Sequence, residues 1–245
     1  MGLFRRNQQN RAPAGRSHGR ELEHHEHKGW RKLVLVRHGQ TDFNVKHLLP
    51  GQLPGIPLNE EGRTEAQATA SAIRDLPLTA IVASPLERTM ETATYVAEGR
   101  GLQIEQDREL LDTDYGRFAG KCYDELDASD RAWKRFMTDP LHAPKGVEGF
   151  AAVQRRAVRA AERWRHQAEA GEWVALVTHA DLVKLIVAHY LGIPLARVPL
   201  FNMDNAAVSL LAFHPDPQEP PSLLCFNWTS PALWLHAAQA QAQQA

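Results

Sequence analysis

The sequence predicts a layered α/β protein with parallel strands at its centre, and two observations predict it. Three short apolar runs rich in Val, Ile, Leu and Ala are typical of strands buried on both faces of a parallel sheet; they lie at 32–36, 80–83 and 173–177. Helical patterns separate these runs, and strands that alternate with helices indicate α/β layers. A chain of 245 residues is long enough to bury one such core without disulfides or metals.

The residues after the second and third runs predict helices. Ser84–Glu87, with the sequence Ser-Pro-Leu-Glu, follows the second run and has the form of a helix start. In that interpretation Ser is the N-cap, Pro is the first helical residue and Glu closes a capping box. The segment 182–191 after the third run is apolar and helical in pattern, and Gly192 and Pro194 stop it.

Two further helices and the closing strands complete the predicted fold. A helix over 61–74 has Asn59 as its candidate cap. A helix over 148–168 carries an apolar stripe, and Glu148 is assigned only to its start, where an acidic residue favours the helix dipole. One or two closing strands are predicted at 206–213 and 223–228.

The two ends of the chain differ in composition from this core. Residues 1–29 are rich in Arg, Gln, Gly and His and have no apolar periodicity, and the last residues alternate Ala and Gln. We therefore expect a disordered N-terminal tail at 1–29, one domain at 30–235 and a low-complexity tail at 236–245.

Composition excludes several classes of function. The formal net charge is −1 and charges of both signs are spread along the chain, which predicts no nucleic-acid or membrane partner and makes any anion site local. The two cysteines, Cys122 and Cys225, predict neither a disulfide framework nor a thiolate metal site. No apolar run follows Arg5 and Arg6 as in a signal peptide. We expect a cytoplasmic protein, monomeric or homodimeric, without a metal or cofactor.

Polar residues at the ends of the predicted strands indicate an anion site. Ligands of open α/β sheets bind beyond the carboxyl ends of the strands. In this chain those ends lead into Arg37 and His38, into Arg88 one turn within the next helix, and into His179. Guanidinium groups and helix N-termini match the oxygens of a phosphoryl group. A histidine titrates near neutrality, so His38 is predicted to be the nucleophile that accepts phosphate.

The motifs around these residues resemble one known family. Arg-His-Gly-Gln-Thr at 37–41, followed by Asn44, is similar to the opening signature of the histidine phosphatase superfamily, also called the phosphoglycerate mutase-like family. The resemblance continues in order through Pro-Leu-Asn-Glu-Glu-Gly at 57–62, Ser-Pro-Leu-Glu-Arg-Thr at 84–89 and Val-Thr-His-Ala at 177–180.

This resemblance implies both a fold and a set of site residues. The fold is a three-layer α/β/α sandwich with a mostly parallel central sheet, phosphoglycerate mutase-like. His38 is implied as the phosphoryl acceptor, and water then hydrolyses the phosphohistidine. The residues implied to hold the phosphoryl oxygens or the substrate are Arg37, Asn44, Arg88, His179 and Ala180.

The family also uses a carboxylic acid to protonate the leaving alkoxide, usually the Glu of Leu-x-Glu-x-x-x-Gly. Here the segment 110–116 places Asp112 at that position, and Asp114 is the alternative. Aspartate is one methylene shorter, so the loop has to bring the carboxyl closer. The competing interpretation is that both are solvated loop carboxylates.

Three functions are compatible with this site, and the sequence favours a phosphatase. A mutase needs extra segments over its pocket, and the variable stretch between Asp112 and Glu148 is of modest length. That stretch is either a partial lid or, through aromatic residues such as Trp133 and Phe136, part of the core. A catalytically silent phospho-ligand-binding protein would be expected to lack pocket residues. We therefore predict a phosphomonoesterase of the phosphatase branch, acting on a small phosphorylated metabolite.

Overall fold

The computed structural model describes residues 29–139, 142–167 and 171–230. Its strands are β1 Arg31–Arg37, β2 Ala80–Ala83, β3 Ile104–Gln106, β4 Trp173–Thr178, β5 Val208–Phe213 and β6 Ser222–Trp228. They form one six-stranded sheet with the order β3-β2-β4-β1-β5-β6. The first four of these strands are parallel, and β5 and β6 are antiparallel to their neighbours. The predicted α/β fold with a mostly parallel central sheet is confirmed.

Helices lie between the strands along the chain. They are α1 Asp42–Val45, α2 Glu60–Ala72, α3 Glu87–Ala97, α4 Tyr123–Ser129, α5 Arg131–Thr138, α6 Phe150–His166 and α7 Ala180–Tyr190. Short 3₁₀ turns occur at Arg108–Leu110, Gly116–Phe118 and Leu195–Leu200. None of the helices in the described ranges combines the length and the apolar character that a bilayer crossing needs.

The side chains of β1 show why the fold has three layers. Successive side chains of a strand point to opposite faces of the sheet. Leu33 and Leu35 enter the larger apolar cluster, which includes residues of α6 and α7. Val34 and Val36 enter a second cluster with residues of α3 and with the residues that follow α2. Because both faces of β1 are covered, its sequence is a continuous apolar run.

Register brings the ends of three parallel strands to one level. Val36 pairs with Val177 across β1 and β4, and Ala83 pairs with the same Val177 across β2 and β4. The residues that follow these partners are therefore neighbours at the carboxyl edge of the sheet. They are Arg37 and His38, Thr178 and His179, and Ser84.

Two predicted helix starts are wrong. Helix α3 begins at Glu87 with Leu86 as a cap that makes no side-chain bond, and Ser84 instead lies 3.0 Å from a nitrogen of His179. Helix α6 begins at Phe150, and Glu148 pairs with Arg156 rather than opening the helix. In each case the side chain pairs with another side chain instead of capping the helix: Ser84 with His179 from a distant strand end, and Glu148 with Arg156 of α6 itself.

Two aromatic residues of the variable stretch after Asp112 belong to the core, while much of the rest of that stretch is exposed. Trp133 and Phe136 of α5 are almost fully buried, at 3% and 0% exposure. Their rings meet Phe118 and Phe150 edge to face, with centroids 5.4 Å and 5.1 Å apart. The predicted tails lie outside the described residues except for residue 29, so the domain boundaries stay predictions.

Candidate active site

His38 is the buried residue at the end of β1, only 2% exposed. Its Nδ1 lies 2.7 Å from the carbonyl oxygen of Gly39. A carbonyl only accepts hydrogen bonds, so Nδ1 carries the proton and Nε2 keeps its lone pair. Burial, together with the charges of Arg88 and Arg37, holds the pKa of His38 well below its usual 6.5. The ring is thus neutral with one fixed tautomer, and the lone pair of Nε2 is free to attack an electrophile.

A close approach of two backbones supports the His38 turn. A Cβ on Gly39 would lie 2.3 Å from the carbonyl oxygen of Gly62, and a Cβ on Gly62 would lie 2.0 Å from that of Gln40. Only glycine fits at both positions. The N-terminal turn of α2 therefore packs directly against the segment that carries the nucleophile.

Two buried arginines carry donors that find no partner in the protein. Arg88 is fully buried, and its Nη2 donates to the carbonyl of Gly51 and to Asp112 Oδ2, at 2.7 Å and 3.2 Å. One Nη of Arg37 donates to the carbonyl of Met203. Among the described residues, the buried side-chain nitrogens without a hydrogen-bond partner are Arg37 Nε, Arg88 Nε, Arg88 Nη1 and His179 Nδ1.

These unpartnered donors identify the ligand chemistry. A buried donor left unpaired costs about 1–3 kcal/mol, so a cluster of them is normally kept for a ligand. Burial lowers the pKa of both guanidinium groups, yet arginine remains charged in proteins. Forked, positively charged donors match a phosphoryl group with several negative oxygens.

Asn44 and Ala180 contribute neutral donors at the same edge. The backbone N–H and the hydroxyl of Thr41 both donate to Asn44 Oδ1, each at 2.9 Å. This fixes the amide so that its NH₂ group is the end available to the cavity. Ala180 begins α7 directly after His179, and the free backbone N–H groups of a helix start favour anions.

Asp112 is the carboxyl group of the site, and it is 6% exposed. Its Oδ2 lies 3.2 Å from Arg88 Nη2 and 3.6 Å from His179 Nδ1, and its Oδ1 accepts from the backbone of Thr113. Burial raises the pKa of Asp112 to about 6, against the lowering effect of Arg88. Asp114, the alternative acid, is exposed and its carboxylate accepts from the backbone of Gly116.

His179 is the second buried histidine of the site, and it has a partner that the sequence did not predict. Its ring centroid lies 5.3 Å from that of His38. Ser84 Oγ is hydrogen-bonded to Nε2, which leaves Nδ1 facing Asp112 and the anion site. Burial and the charge of Arg88 hold the pKa of His179 well below 6.5. The neutral ring can donate one hydrogen bond from Nδ1 to an anion.

A polar cavity of about 340 Å³ opens above His38. Its outer wall contains Tyr115, Tyr123, Asp181 and Lys184. Asp181 accepts from the hydroxyl of Tyr115 and lies 3.4 Å from Lys184 Nζ. Within the described ranges, no group of three or more His, Cys, Asp or Glu side chains is arranged to hold a metal ion.

The structure brings together every residue predicted for the site. His38, Arg37, Asn44, Asp112 and Ala180 line the cavity. His179 and Arg88 are not among its lining residues and join the site through His38 and Asp112, since the two histidine ring centroids lie 5.3 Å apart and Arg88 pairs with Asp112. A comparison with protein families then decides the family: residues 33–227 match the histidine phosphatase superfamily (branch 1). The chain belongs to the histidine phosphatase superfamily. The resemblance found in the motifs is confirmed.

Several known relatives of this histidine phosphatase are phosphatases, and a probable phosphoglycerate mutase from Enterobacter is also similar, at 28% identity over 188 residues that cover 76% of this chain and 86% of the relative. A glucosyl-3-phosphoglycerate phosphatase from Mycobacterium tuberculosis is 34% identical over 196 residues, which cover 75% of this chain and 86% of the relative. Phosphoserine phosphatase 1 from Hydrogenobacter thermophilus is 28% identical over 184 residues, covering 74% and 85%. The structure of a mycobacterial glucosyl-3-phosphoglycerate phosphatase with VO3 is similar at a TM-score of 0.72 and 33% identity, covering 81% of this chain and 100% of that one. The prediction of a phosphatase is confirmed at this level.

Two kinds of residue at this histidine phosphatase site escaped sequence analysis. Ser84 was assigned to helix capping, although its place directly after a buried strand is the same signal that identified His38 and His179. Asp181 and Lys184 also lie in the outer wall, where Asp181 contacts Tyr115 from a distant segment. The spacing of Asp181 and Lys184 on α7 indicates that they share a face, but not that this face borders the cavity.

Proposed function

We propose that this chain is a metal-independent phosphomonoesterase that hydrolyses a small polar phosphate ester through a phosphohistidine on His38. The observation that carries the proposal is the free Nε2 of a buried, tautomer-fixed His38 beside the unpartnered donors of Arg37, Arg88 and His179. Arginine charges do here what a metal ion does in other phosphatases, which is to neutralise the phosphoryl oxygens.

In the first step, Nε2 of His38 attacks phosphorus and the bond from phosphorus to the ester oxygen breaks. Asp112, protonated, gives its proton to the leaving alkoxide, so the alcohol departs neutral. A pKa of about 6 leaves a usable protonated fraction near neutral pH. The dianionic ester adds negative charge nearby and favours the protonated carboxyl further.

In the second step, water attacks phosphorus and the phosphorus–nitrogen bond breaks. Asp112, now a carboxylate, takes a proton from that water, and His38 recovers its lone pair. Inorganic phosphate leaves and Asp112 again holds a proton. The donors of Arg37 and Arg88 serve both steps, because negative charge stays on the phosphoryl oxygens throughout.

The cavity supports a polar alkyl ester as the substrate. The wall beyond His38 carries the Tyr115 hydroxyl, the Asp181 carboxylate and the Lys184 ammonium, which suit hydroxyl and carboxylate groups on the leaving alcohol. The named relatives act on glucosyl-3-phosphoglycerate and on phosphoserine. Both are alkyl phosphates with polar substituents, and they head the panel of candidates.

The test combines product release with trapping of the intermediate. Purified protein with EDTA is given each ester, and inorganic phosphate is measured; a rapid acid or alkaline quench after ³²P-labelled substrate then shows whether the label sits on His38. We expect phosphate release and an acid-labile, alkali-stable label, both lost in His38→Ala. His142→Ala is the matched control, since His142 is exposed and its side chain pairs with Asp139, away from the cavity wall.

Other outcomes would support the alternatives. Isomerisation of 3-phosphoglycerate without phosphate release would identify a mutase. A folded sample that neither releases phosphate nor becomes labelled on any ester of the panel would identify a silent phospho-ligand-binding protein. Loss of activity with EDTA, restored by one added divalent metal, would contradict metal independence.

A further inference from the structure

Arg156 of α6 holds the backbone of the segment that carries Asp112. One of its terminal nitrogens donates to the carbonyl oxygens of Glu109, at 2.9 Å, and of Leu111. The other donates to the carbonyl oxygen of Asp112 itself, at 2.8 Å. A single guanidinium group therefore fixes three carbonyls within four residues, including that of the predicted acid.

Glu148 fixes the orientation of this guanidinium group and contacts the far side of the same segment. Its two carboxylate oxygens accept from Arg156 Nε and Nη2, each at 2.8 Å, in a bidentate pair. Its backbone N–H donates to the carbonyl of Asp114 at 2.7 Å, and its carboxylate accepts from the backbone of Asp114 at 3.3 Å. Arg156 and Glu148 thus contact the backbone on both sides of Asp112, over the segment from Glu109 to Asp114.

Regular structure does not place Asp112. The residues from 111 to 115 have no helix or strand assignment, and an irregular segment without a ladder depends on side-chain partners for its position. An acid acts only within hydrogen-bond reach of the proton acceptor, and a misplacement of about 1 Å can cost about 100-fold in rate. An aspartate has one methylene fewer with which to compensate.

We propose that Arg156, oriented by Glu148, is a positioning residue for the general acid Asp112, whose carbonyl also accepts from Gln52. The proposal rests on the proposed function, and it adds a residue that does not touch substrate. Every nitrogen of its guanidinium group donates either to the carbonyls of the Asp112 segment or to Glu148, so its influence reaches the reaction through Asp112. Its side chain is 12% exposed, and its charge is paired with that of Glu148, so geometry rather than net charge is what it supplies.

The test uses two esters that differ in their need for an acid. An alkyl phosphate such as phosphoserine needs a proton on its leaving oxygen, whereas nitrophenolate leaves without one. Arg156→Lys keeps the charge but cannot hold three carbonyls and a bidentate carboxylate together. We expect kcat/KM on the alkyl ester to fall by about 100-fold. Hydrolysis of nitrophenyl phosphate should be almost unchanged.

Arg159→Lys is the matched control on the same helix. Arg159 binds the side chain of Glu109 and none of the three carbonyls, so both esters should be hydrolysed as by the native protein. Glu148→Gln is the second variant, and it should cause a smaller loss with the same selectivity. In an Asp112→Asn background, Arg156→Lys should cause no further loss on the alkyl ester.

Equal losses on both esters, or no loss on either, would overturn the proposal. So would a loss from Arg156→Lys that adds in full to that of Asp112→Asn. If Arg156→Lys does not fold, Glu148→Gln tests the proposal instead: a loss on the alkyl ester but not on nitrophenyl phosphate supports it, and equal losses overturn it. Failure of the proposed function itself would already be visible in the native protein, as absent phosphate release or an unlabelled His38.

Discussion

The pH dependence of hydrolysis follows from two opposed pKa shifts. Burial raises the pKa of Asp112 from 3.8 to about 6, whereas burial and the two arginines hold that of His38 well below 6.5. At pH 6 about half of the Asp112 population is protonated, against roughly 1% for an unshifted aspartate. The neutral nucleophile and the protonated acid therefore coexist near pH 5 to 6.

We expect kcat/KM for an alkyl phosphate to fall about tenfold per pH unit above pH 6 to 7, as the acid ionises. Asp112→Asn should lower this activity on the order of 10²–10⁴-fold and remove that limb of the profile. Nitrophenyl phosphate should be affected far less. Since the ester also titrates near pH 6, native and variant proteins are compared on the same ester between pH 4.5 and 8.

Two results would refute this reasoning. One is an Asp112→Asn variant whose kcat/KM falls by the same factor on the alkyl ester and on nitrophenyl phosphate. Asp112 would then help to bind the phosphoryl group but would not donate a proton. The other is an alkaline limb that persists unchanged in the variant, because the titrating group would then lie elsewhere. Asp114→Asn is the matched control and should retain native activity, since Asp114 is exposed.

Two further predictions concern stability. Burial raises the pKa of Glu65 to about 7 from 4.5. The native state therefore holds a proton that the unfolded state releases between these values, and stability falls as pH rises through that window. Glu65→Gln should be more stable than the native protein by on the order of 3 kcal/mol at pH 8 and equal to it at pH 4, by urea unfolding; the same difference at both pH values would contradict this. Gly62→Ala should destabilise by about 1–3 kcal/mol, although alanine favours helices, because its Cβ would meet the Gln40 carbonyl. It should also lower activity, whereas the exposed Ser71→Ala on α2 should do neither, and an active, stable Gly62→Ala would show that the His38 turn can move.

The sequence predicted the central strands because burial on both faces leaves a direct mark on composition. Leu33 to Val36 are each fully buried, and no polar residue interrupts them. Strand β3 was missed because it has three residues, of which only Ile104 is apolar and none is fully buried. Helix α5 was missed for a related reason: its buried side chains are two aromatic residues, Trp133 and Phe136, and four of its other six residues are polar or charged.

Pairing between distant side chains could not be predicted from local patterns. Ser84 stands where a helix cap is expected, but the fold brings it to His179, 95 residues away in sequence. Glu148 also stands at an expected helix start, but it pairs with Arg156, eight residues further along the chain on α6. A signal for Arg156 was present, since it lies on α6 between the buried Val153 and Ala157, where a charged group needs a partner. Arg37, His38 and His179 were predictable because they lie at or directly after the ends of buried strands.

The site of this histidine phosphatase is built on two supports of different kinds. His38, His179 and Ser84 are fixed by the pairing of three parallel strands, so a shift of any one would disturb the whole sheet. Asp112 lies on an irregular segment that side-chain hydrogen bonds hold in place. This segment can change in sequence without altering the sheet. Changes in this one loop can therefore adapt such an enzyme to alcohols of different basicity, while the strand ends that carry His38, His179 and Ser84 stay unchanged.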